Sequence, residues 1–281
     1  MFPVYKIVRK EGTMFILSEE QCITCGTCVE ACHNKALQII DGALVHDPDK
    51  CNWCGHCLAL CPRDAIMIDG DGYDVEDVEE FNMLTRPTPQ QIRRQIMMRR
   101  SIRRFNEEEV TDDELSYILE AAKYAPTAKN GQDNFLLVVG TEEGRKEILE
   151  DSMEIIGKAG RECAETMPGL SAFFMMKYKM YKENGEDGLF YNAPVVIYVF
   201  SDNLLDGAIF ASTMMQMVDA QPGLGACYLQ LAADPFNKDP ELKKKYGIPE
   251  NKQCAIAFAL GHTDEEFFSS VPRKEVPVVL K

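Results

Sequence analysis

The stretch C-I-T-C-G-T-C-V-E-A-C, Cys22 to Cys32, returns as C-N-W-C-G-H-C-L-A-L-C, Cys51 to Cys61. Eight thiols at one spacing, twice over, constrain this chain more than any other feature. C-x2-C-x2-C turns three sulfurs onto one centre within a tight loop. The fourth Cys of each run, three intervening residues on, starts a helix and points away from that centre, so it serves the other one. One centre then takes Cys22, Cys25, Cys28 and Cys61; the other takes Cys51, Cys54, Cys57 and Cys32. Gly26 and Gly55 let backbone N–H groups approach the sulfurs. Structural zinc would use four Cys per site without this twofold repeat. The pattern favours iron–sulfur clusters.

The surrounding composition sets the frame. At 281 residues there is room for one large domain or two ordinary ones, and a chain 46% hydrophobic and 27% charged is globular. The opening M-F-P-V-Y-K-I-V-R-K-E-G lacks a basic region followed by an apolar block. The longest clean apolar run, near Pro194–Phe200, is far too short to span a bilayer. Eleven cysteines without a secretion signal point to metal rather than disulfides, so a soluble cytoplasmic protein with no membrane partner is expected. Cys163, Cys227 and Cys254 read as small buried hydrophobes. A net charge of −15 argues against a nucleic-acid partner.

Between the two runs, two short apolar stretches flank Asp41-Gly42, a strong hairpin signal. A second copy begins at Ala65-Ile-Met-Ile-Asp-Gly70. This internal repeat of loop, short helix and strand resembles a dicluster bacterial-type ferredoxin domain over about residues 15–80, which implies two 4Fe-4S clusters. His33 stands where that pattern has proline after the first run, whereas Pro62 follows the second. Alternation in V-Y-K-I-V and M-F-I-L predicts an added hairpin at the edge, within Met1–Leu17. From Asp69 to Glu80 the chain is acidic, read as a solvated surface rather than a docking face. An acidic ferredoxin domain fits a low-potential, anaerobic setting.

The charge then reverses: Phe81 to Asn106 holds seven arginines and no acid. Pro87 and Pro89 punctuate the join, and Thr88-Pro89 reads as an N-cap with proline in the first helical turn. The expected organisation is 1–80 for the cluster domain, 81–95 for a linker and first helix, and 96–281 for a second domain. A bound phosphate is the economical use of these arginines. No G-x-G-x-x-G and no G-x4-G-K-[ST] occurs, so neither a dinucleotide fold nor a P-loop is supported. Thr111-Asp-Asp-Glu114 is a capping box that opens a helix.

Four motifs in order, R-R-S-I-R-R-F (Arg99–Phe105), A-P-T-A-K-N-G-Q (Ala125–Gln132), Q-P-G-L-G-A-C (Gln221–Cys227) and P-R-K (Pro272–Lys274), resemble the FMN-dependent nitroreductase family over roughly residues 90–281. The whole chain resembles a ferredoxin–nitroreductase fusion of α+β class. The resemblance implies that Arg99, Arg100, Ser101 and Arg103 contact FMN, and that Arg273 with Lys274 clamps its phosphate. Guanidinium forks suit phosphate oxygens. It implies that Thr127 and Asn130 contact flavin from the other subunit of a homodimer. It further implies that the backbone of Pro222, Gly223, Leu224 and Gly225 lies along the isoalloxazine, with the Leu224 N–H near flavin N5. Where the family often has Pro-Trp, this chain has Asp133-Asn134, which bears on substrate preference.

Strands are predicted near Phe135–Val139, Pro194–Phe200 and Cys254–Leu260, and a helix over Asn203–Ala220. Met215 and Met217 read as core or dimer interface. The Met/aromatic run Met167–Asn184 reads equally as core or as the wall of a substrate pocket. His262 reads as structural; His56, inside a cluster loop, can tune that cluster. No general acid is nominated. The expected function is electron transfer between the clusters and FMN to reduce a small electron-poor organic substrate such as a nitroaromatic, quinone or activated alkene. NAD(P)H or a ferredoxin would be the donor. The alternative is a redox adaptor that converts one- and two-electron transfer for a protein partner.

Overall fold

The structure is a computed structural model that describes residues 5–10 and 12–281. Residues up to Arg86, together with Lys129–Gly131, form one compact unit; Pro87–Ala128 and Gln132–Lys281 form another. Among the described residues no helix is long and apolar enough to cross a membrane.

The first unit runs β1 (Tyr5–Lys10), β2 (Thr13–Ser18), α1 (Thr27–Ala31), β3 (Leu37–Ile40), β4 (Ala43–His46), α2 (His56–Ala59) and β5 (Ile66–Asp69). The strands form two antiparallel sheets, β1-β2-β5 and β3-β4. Between β3 and β4, Asp41 and Gly42 have φ of 50° and 78°. Left-handed backbone at both central residues is the turn whose twist matches a two-residue hairpin. The N-terminal hairpin also forms, although Met1–Val4 of that expectation lies outside the described residues. Its second strand is not an ornament at the edge: β2 pairs with both β1 and β5, with Leu17 opposite Ile66 and Phe15 opposite Ile68. The period of two in T-M-F-I-L-S explains this, since Thr13, Phe15 and Leu17 all point inward and are buried. Phe15, Leu17, Leu37, Leu44, Ala65 and Ile66 make a small core against which Cys22, Cys28, Cys32, Cys57 and Cys61 pack.

The second unit runs α3 (Pro89–Met98), α4 (Asp112–Ala122), β6 (Phe135–Val139), α5 (Glu142–Glu162), α6 (Pro168–Asn184), β7 (Val195–Ser201), α7 (Leu204–Ala220), β8 (Leu224–Tyr228), α8 (Gln230–Lys238), α9 (Pro240–Lys245) and β9 (Gln253–His262). Both Thr88 and Thr111 close full capping boxes, with Gln91 and Glu114 respectively. The sheet is antiparallel in order β6-β7-β9-β8. Every residue of β7 is buried. Val195, Ile197 and Val199 face a core shared with α4 and α7; Val196, Tyr198 and Phe200 face a second core shared with α5 and α8. A strand covered on both faces reads as one continuous apolar run, which is why V-V-I-Y-V-F stands out.

Two sequence readings resolve here. Met215 is core beside Met214 and Val218, with Met217 packed against the same cluster. The Met/aromatic run forms α6 and divides: Phe174 is core, while Phe173 and Met176 are exposed. One element went unread. Gln221–Cys227 suggests only a loop along a cofactor, yet Leu224–Tyr228 is a strand, with Leu224 opposite His262 and Gly225 opposite Gly261. Gly223, at φ 81°, turns the chain into it.

Phe236 of α8 is fully buried and meets Tyr198 and Phe200 edge-on at 4.9 and 5.2 Å. Truncation leaves a cavity at the centre of the larger core. Phe236→Ala is expected to cost about 3–5 kcal/mol, measured by denaturant unfolding of the second unit.

Candidate functional site

In the first unit the eight thiols stand around two separate hollows. Cys22, Cys25, Cys28 and Cys61 line one of about 350 Å³. Cys32, Cys51, Cys54 and Cys57 line another of about 400 Å³. Each hollow thus draws three cysteines from one run and the last from the other. The loops bend through Gly26 at φ 84° and Gly55 at φ 74°, and each starts a short helix there, so the fourth Cys of each run ends that helix rather than starting one: Cys32 caps α1 and Cys61 follows α2. Backbone N–H groups of Ala36, Trp53 and Ala65 reach Cys32, Cys51 and Cys61 Sγ at 3.2, 3.4 and 3.3 Å. Burial pushes the Cys57 thiol up to about 12, and raises Cys28 and Cys51 in the same direction. Thiolates in such a shell need cations between them. Among the described residues no three Cys, His, Asp or Glu side chains converge on a point that would hold a single ion. Thiols spaced around a hollow suit a polynuclear centre. All eleven cysteines are free of disulfides.

In the second unit the arginine segment, β8 and the C-terminal tail come together. Ile102 N donates to Ala226 O at 3.0 Å, and Asn106 N to His262 O at 2.9 Å. Gly225 is required by this approach, because a Cβ there would lie 2.5 Å from Ile102 Cγ1. The tail beyond β9 returns to the segment: Arg104 pairs with Glu265, Asn106 Nδ2 donates to Asp264 at 2.8 Å, and Arg100 donates to Ser269 O at 3.2 Å. Arg100 is further spent on the carbonyls of Met97 and Arg99. By contrast, among the described residues no carboxylate lies within ion-pair distance of Arg99, Arg103, Arg273 or Lys274. Arg103 holds only Ser101 O, at 3.5 Å, and lies over the Tyr191 ring. Unpaired cations in a chain this acidic fit an anionic group.

Sequence reasoning missed Asp219, an acid in the last turn of the apolar helix α7. Burial pushes its carboxyl up to about 6, while Arg99 pulls the other way. Its signal was there to read: the only acid in M-M-Q-M-V-D-A-Q. His262 has the structural place expected of it, buried with Nε2 3.2 Å from Glu114.

The A-P-T-A-K-N-G-Q motif is split between the units. Thr127 Oγ1 accepts from Gln132 N at 3.1 Å in the second unit. Lys129–Gly131 belongs to the first. Asn130 Nδ2 sits 3.2 Å from Asn52 O, 3.1 Å from Trp53 O and 3.3 Å from Tyr73 Oη. Lys129, Asn130 and Gln132 hold left-handed φ of 55°, 57° and 47°, a strained run for side chains other than glycine. The structure thus spends the Asn130 amide nitrogen on the cysteine loop between Cys51 and Cys54.

Residues 96–262 match the nitroreductase family. The chain belongs to that family. Residues 21–69 match the 4Fe-4S dicluster domain, over the stretch that holds both hollows. Solved nitroreductases share the fold of the second unit. One with bound FMN from Bacteroides fragilis NCTC 9343 superposes with a TM-score of 0.56 at 18% identity, covering 68% of this chain and 99% of its own. Another with bound FMN, from Desulfitobacterium hafniense DCB-2, gives 0.52 at 24% identity, covering 67% and 97%. An FMN-dependent nitroreductase from Clostridium difficile R20291 gives 0.50 at 21% identity, covering 68% and 100%. No curated protein matches the chain.

Asp219 gives this nitroreductase a pH signature. Its folded carboxyl titrates at about 6, against about 3.9 unfolded. The fold therefore holds the proton longer, and stability falls as pH rises from about 4 to about 6. Asp219→Asn is expected to remove that dependence. Urea unfolding should show the variant gaining on the native protein as pH rises through this window, with a constant difference above it.

Proposed function

We propose that this nitroreductase-family chain is an iron–sulfur flavoprotein oxidoreductase that carries electrons between two 4Fe-4S clusters and FMN to reduce a small electron-poor organic molecule, a nitroaromatic, quinone or activated alkene. The observation that carries the reading is the pair of four-cysteine hollows on a chain whose residues 96–262 match the nitroreductase family. Clusters pass electrons singly, and FMN exchanges them singly or in pairs, so one chain with both joins the two kinds of chemistry.

The protein's own residues supply the rest. Cys22, Cys25, Cys28 and Cys61 would hold one cluster, and Cys32, Cys51, Cys54 and Cys57 the other. Arg99, Ser101 and Arg103, with Arg273 and Lys274, would bind the phosphate and ribityl of FMN. Their guanidinium and ammonium groups have no carboxylate to lose on doing so. Arg100 is tied to backbone carbonyls and would position the segment. Pro222, Gly223, Leu224 and Gly225 would lie along the flavin, where the Leu224 N–H can stabilise the reduced ring. We assign the chain to a homodimer, as the family resemblance implies, with Thr127 reaching the second copy's flavin; Asn130, whose amide nitrogen is held by Asn52 and Trp53, would have only its amide oxygen for that contact. Eleven cysteines free of disulfides support a reducing, cytoplasmic setting. We draw the domains at 1–80 and 96–281, joined by 81–95.

Two measurements test this reading. Arg103→Ala should weaken FMN binding by about 1.5–3 kcal/mol, roughly 10- to 150-fold, in a fluorescence titration of the apoprotein. Anaerobic stopped flow of the loaded protein then identifies the donor. Fast bleaching of the flavin by NADH or NADPH means direct hydride transfer. Bleaching only by a reduced ferredoxin means entry through the clusters. A purified protein without flavin overturns the proposal.

A further inference from the structure

The offset that carries Cys22 onto Cys51 carries Leu44's counterpart Phe15, and Leu37's counterpart Ile66, onto matching walls of the two hollows. Leu44 and Ile66 line the first hollow; Phe15 and Leu37 line the second. The same offset carries Leu17 onto His46. At that place the repeat stops being a repeat: one half has an aliphatic side chain, the other an imidazole.

His46 ends β4 and is only 7% exposed. Its ring stacks on Phe15, centroids 4.2 Å apart and planes 17° apart, with Trp53 edge-on at 5.6 Å. Neither ring nitrogen has a hydrogen-bond partner among the described residues. An imidazole buried this way forfeits its water and gains nothing in return. Yet His46 lines the hollow of Cys32, Cys51, Cys54 and Cys57. The polar neighbours that share this wall, Asn34, Asn52 and His56, leave it unbonded. A neutral imidazole carries one N–H donor, and what this hollow is built to hold presents sulfur.

We propose that His46 donates its ring N–H to a sulfur of the 4Fe-4S cluster held by Cys32, Cys51, Cys54 and Cys57, and so raises that cluster's potential. This rests on the cluster reading above. Hydrogen bonds to cluster sulfurs are among the terms that fix a cluster potential. Each reduction adds one electron from a one-electron donor and makes the sulfurs better acceptors, so the bond favours the reduced form. The imidazole keeps its proton throughout. Leu17 has nothing to donate at the equivalent place, so this is a bond that the first cluster lacks.

The test uses the full chain loaded with both clusters under anaerobic conditions. In an EPR-monitored redox titration, His46→Leu, which copies the other half of the repeat, should lower the potential of one cluster and leave the other unchanged. The expected size is a roughly tenfold loss in the reduced-to-oxidised ratio, about 59 mV for one electron. His46→Gln retains an N–H donor and should recover part of the shift. In native protein with nitrogen-15 histidine, ENDOR at the reduced cluster should show a histidine nitrogen coupling. That coupling should survive His56→Thr, which copies Thr27, and vanish in His46→Leu. Loaded clusters without the coupling overturn the proposal, as does a His46→Leu variant with both potentials unchanged. If that variant loses its clusters, the coupling in the native and His56→Thr proteins decides alone. A native chain that binds no iron overturns the cluster reading instead.

Discussion

Thiols packed into an apolar shell resist ionisation, and the first unit is organised around that resistance. Among the described residues its core is one cluster of six buried side chains with short strands, too little to order long cysteine loops by hydrophobic burial alone. Cys28, Cys51 and Cys57 are all pushed away from the thiolate form by burial. Cationic metal reverses that penalty and, because no site pre-exists in the unfolded chain, its binding energy becomes folding energy. The crossed ligand sets matter for the same reason. Cys61 closes the hollow of the first run and Cys32 that of the second, so the ligand sets tie each half of the repeat to the other in addition to their strand pairing and shared core.

The second unit solves the opposite problem, with apolar surface to spare. β7 is covered on both faces, and this one strand organises two cores. Such a strand is legible from sequence because it has no polar face to interrupt the run. The Thr111 capping box, the Thr88 N-cap and the Asp41-Gly42 turn were legible for a local reason: cap and turn chemistry is decided by three or four adjacent residues. β8 was not legible, because L-G-A-C-Y is short and carries a glycine that strand propensity disfavours. That glycine answers to Ile102, more than a hundred positions away. Nothing local records such a constraint.

The candidate sites divide in the same way. Cysteine spacing announces both hollows because the ligands are close in sequence. The arginine segment needed four motifs together, since its meeting with the tail depends on Asp264, Glu265 and Ser269 arriving from beyond β9. Asp219 and His46 escaped notice because burial, not identity, makes them interesting. A lone Asp or His in an apolar segment is ordinary until its surroundings are known.

Asn130 has a consequence for how a protein like this can be taken apart. Three residues from the middle of the reductase sequence fold with the unit formed by the chain's beginning, held by the carbonyls of Asn52 and Trp53. No single cut in the backbone yields two whole halves. Severing the chain after Arg86 gives one fragment with a vacancy beside its cysteine loop and another with a strained left-handed run that has lost its purpose. Sequence order and compact unit therefore part company at Lys129–Gly131.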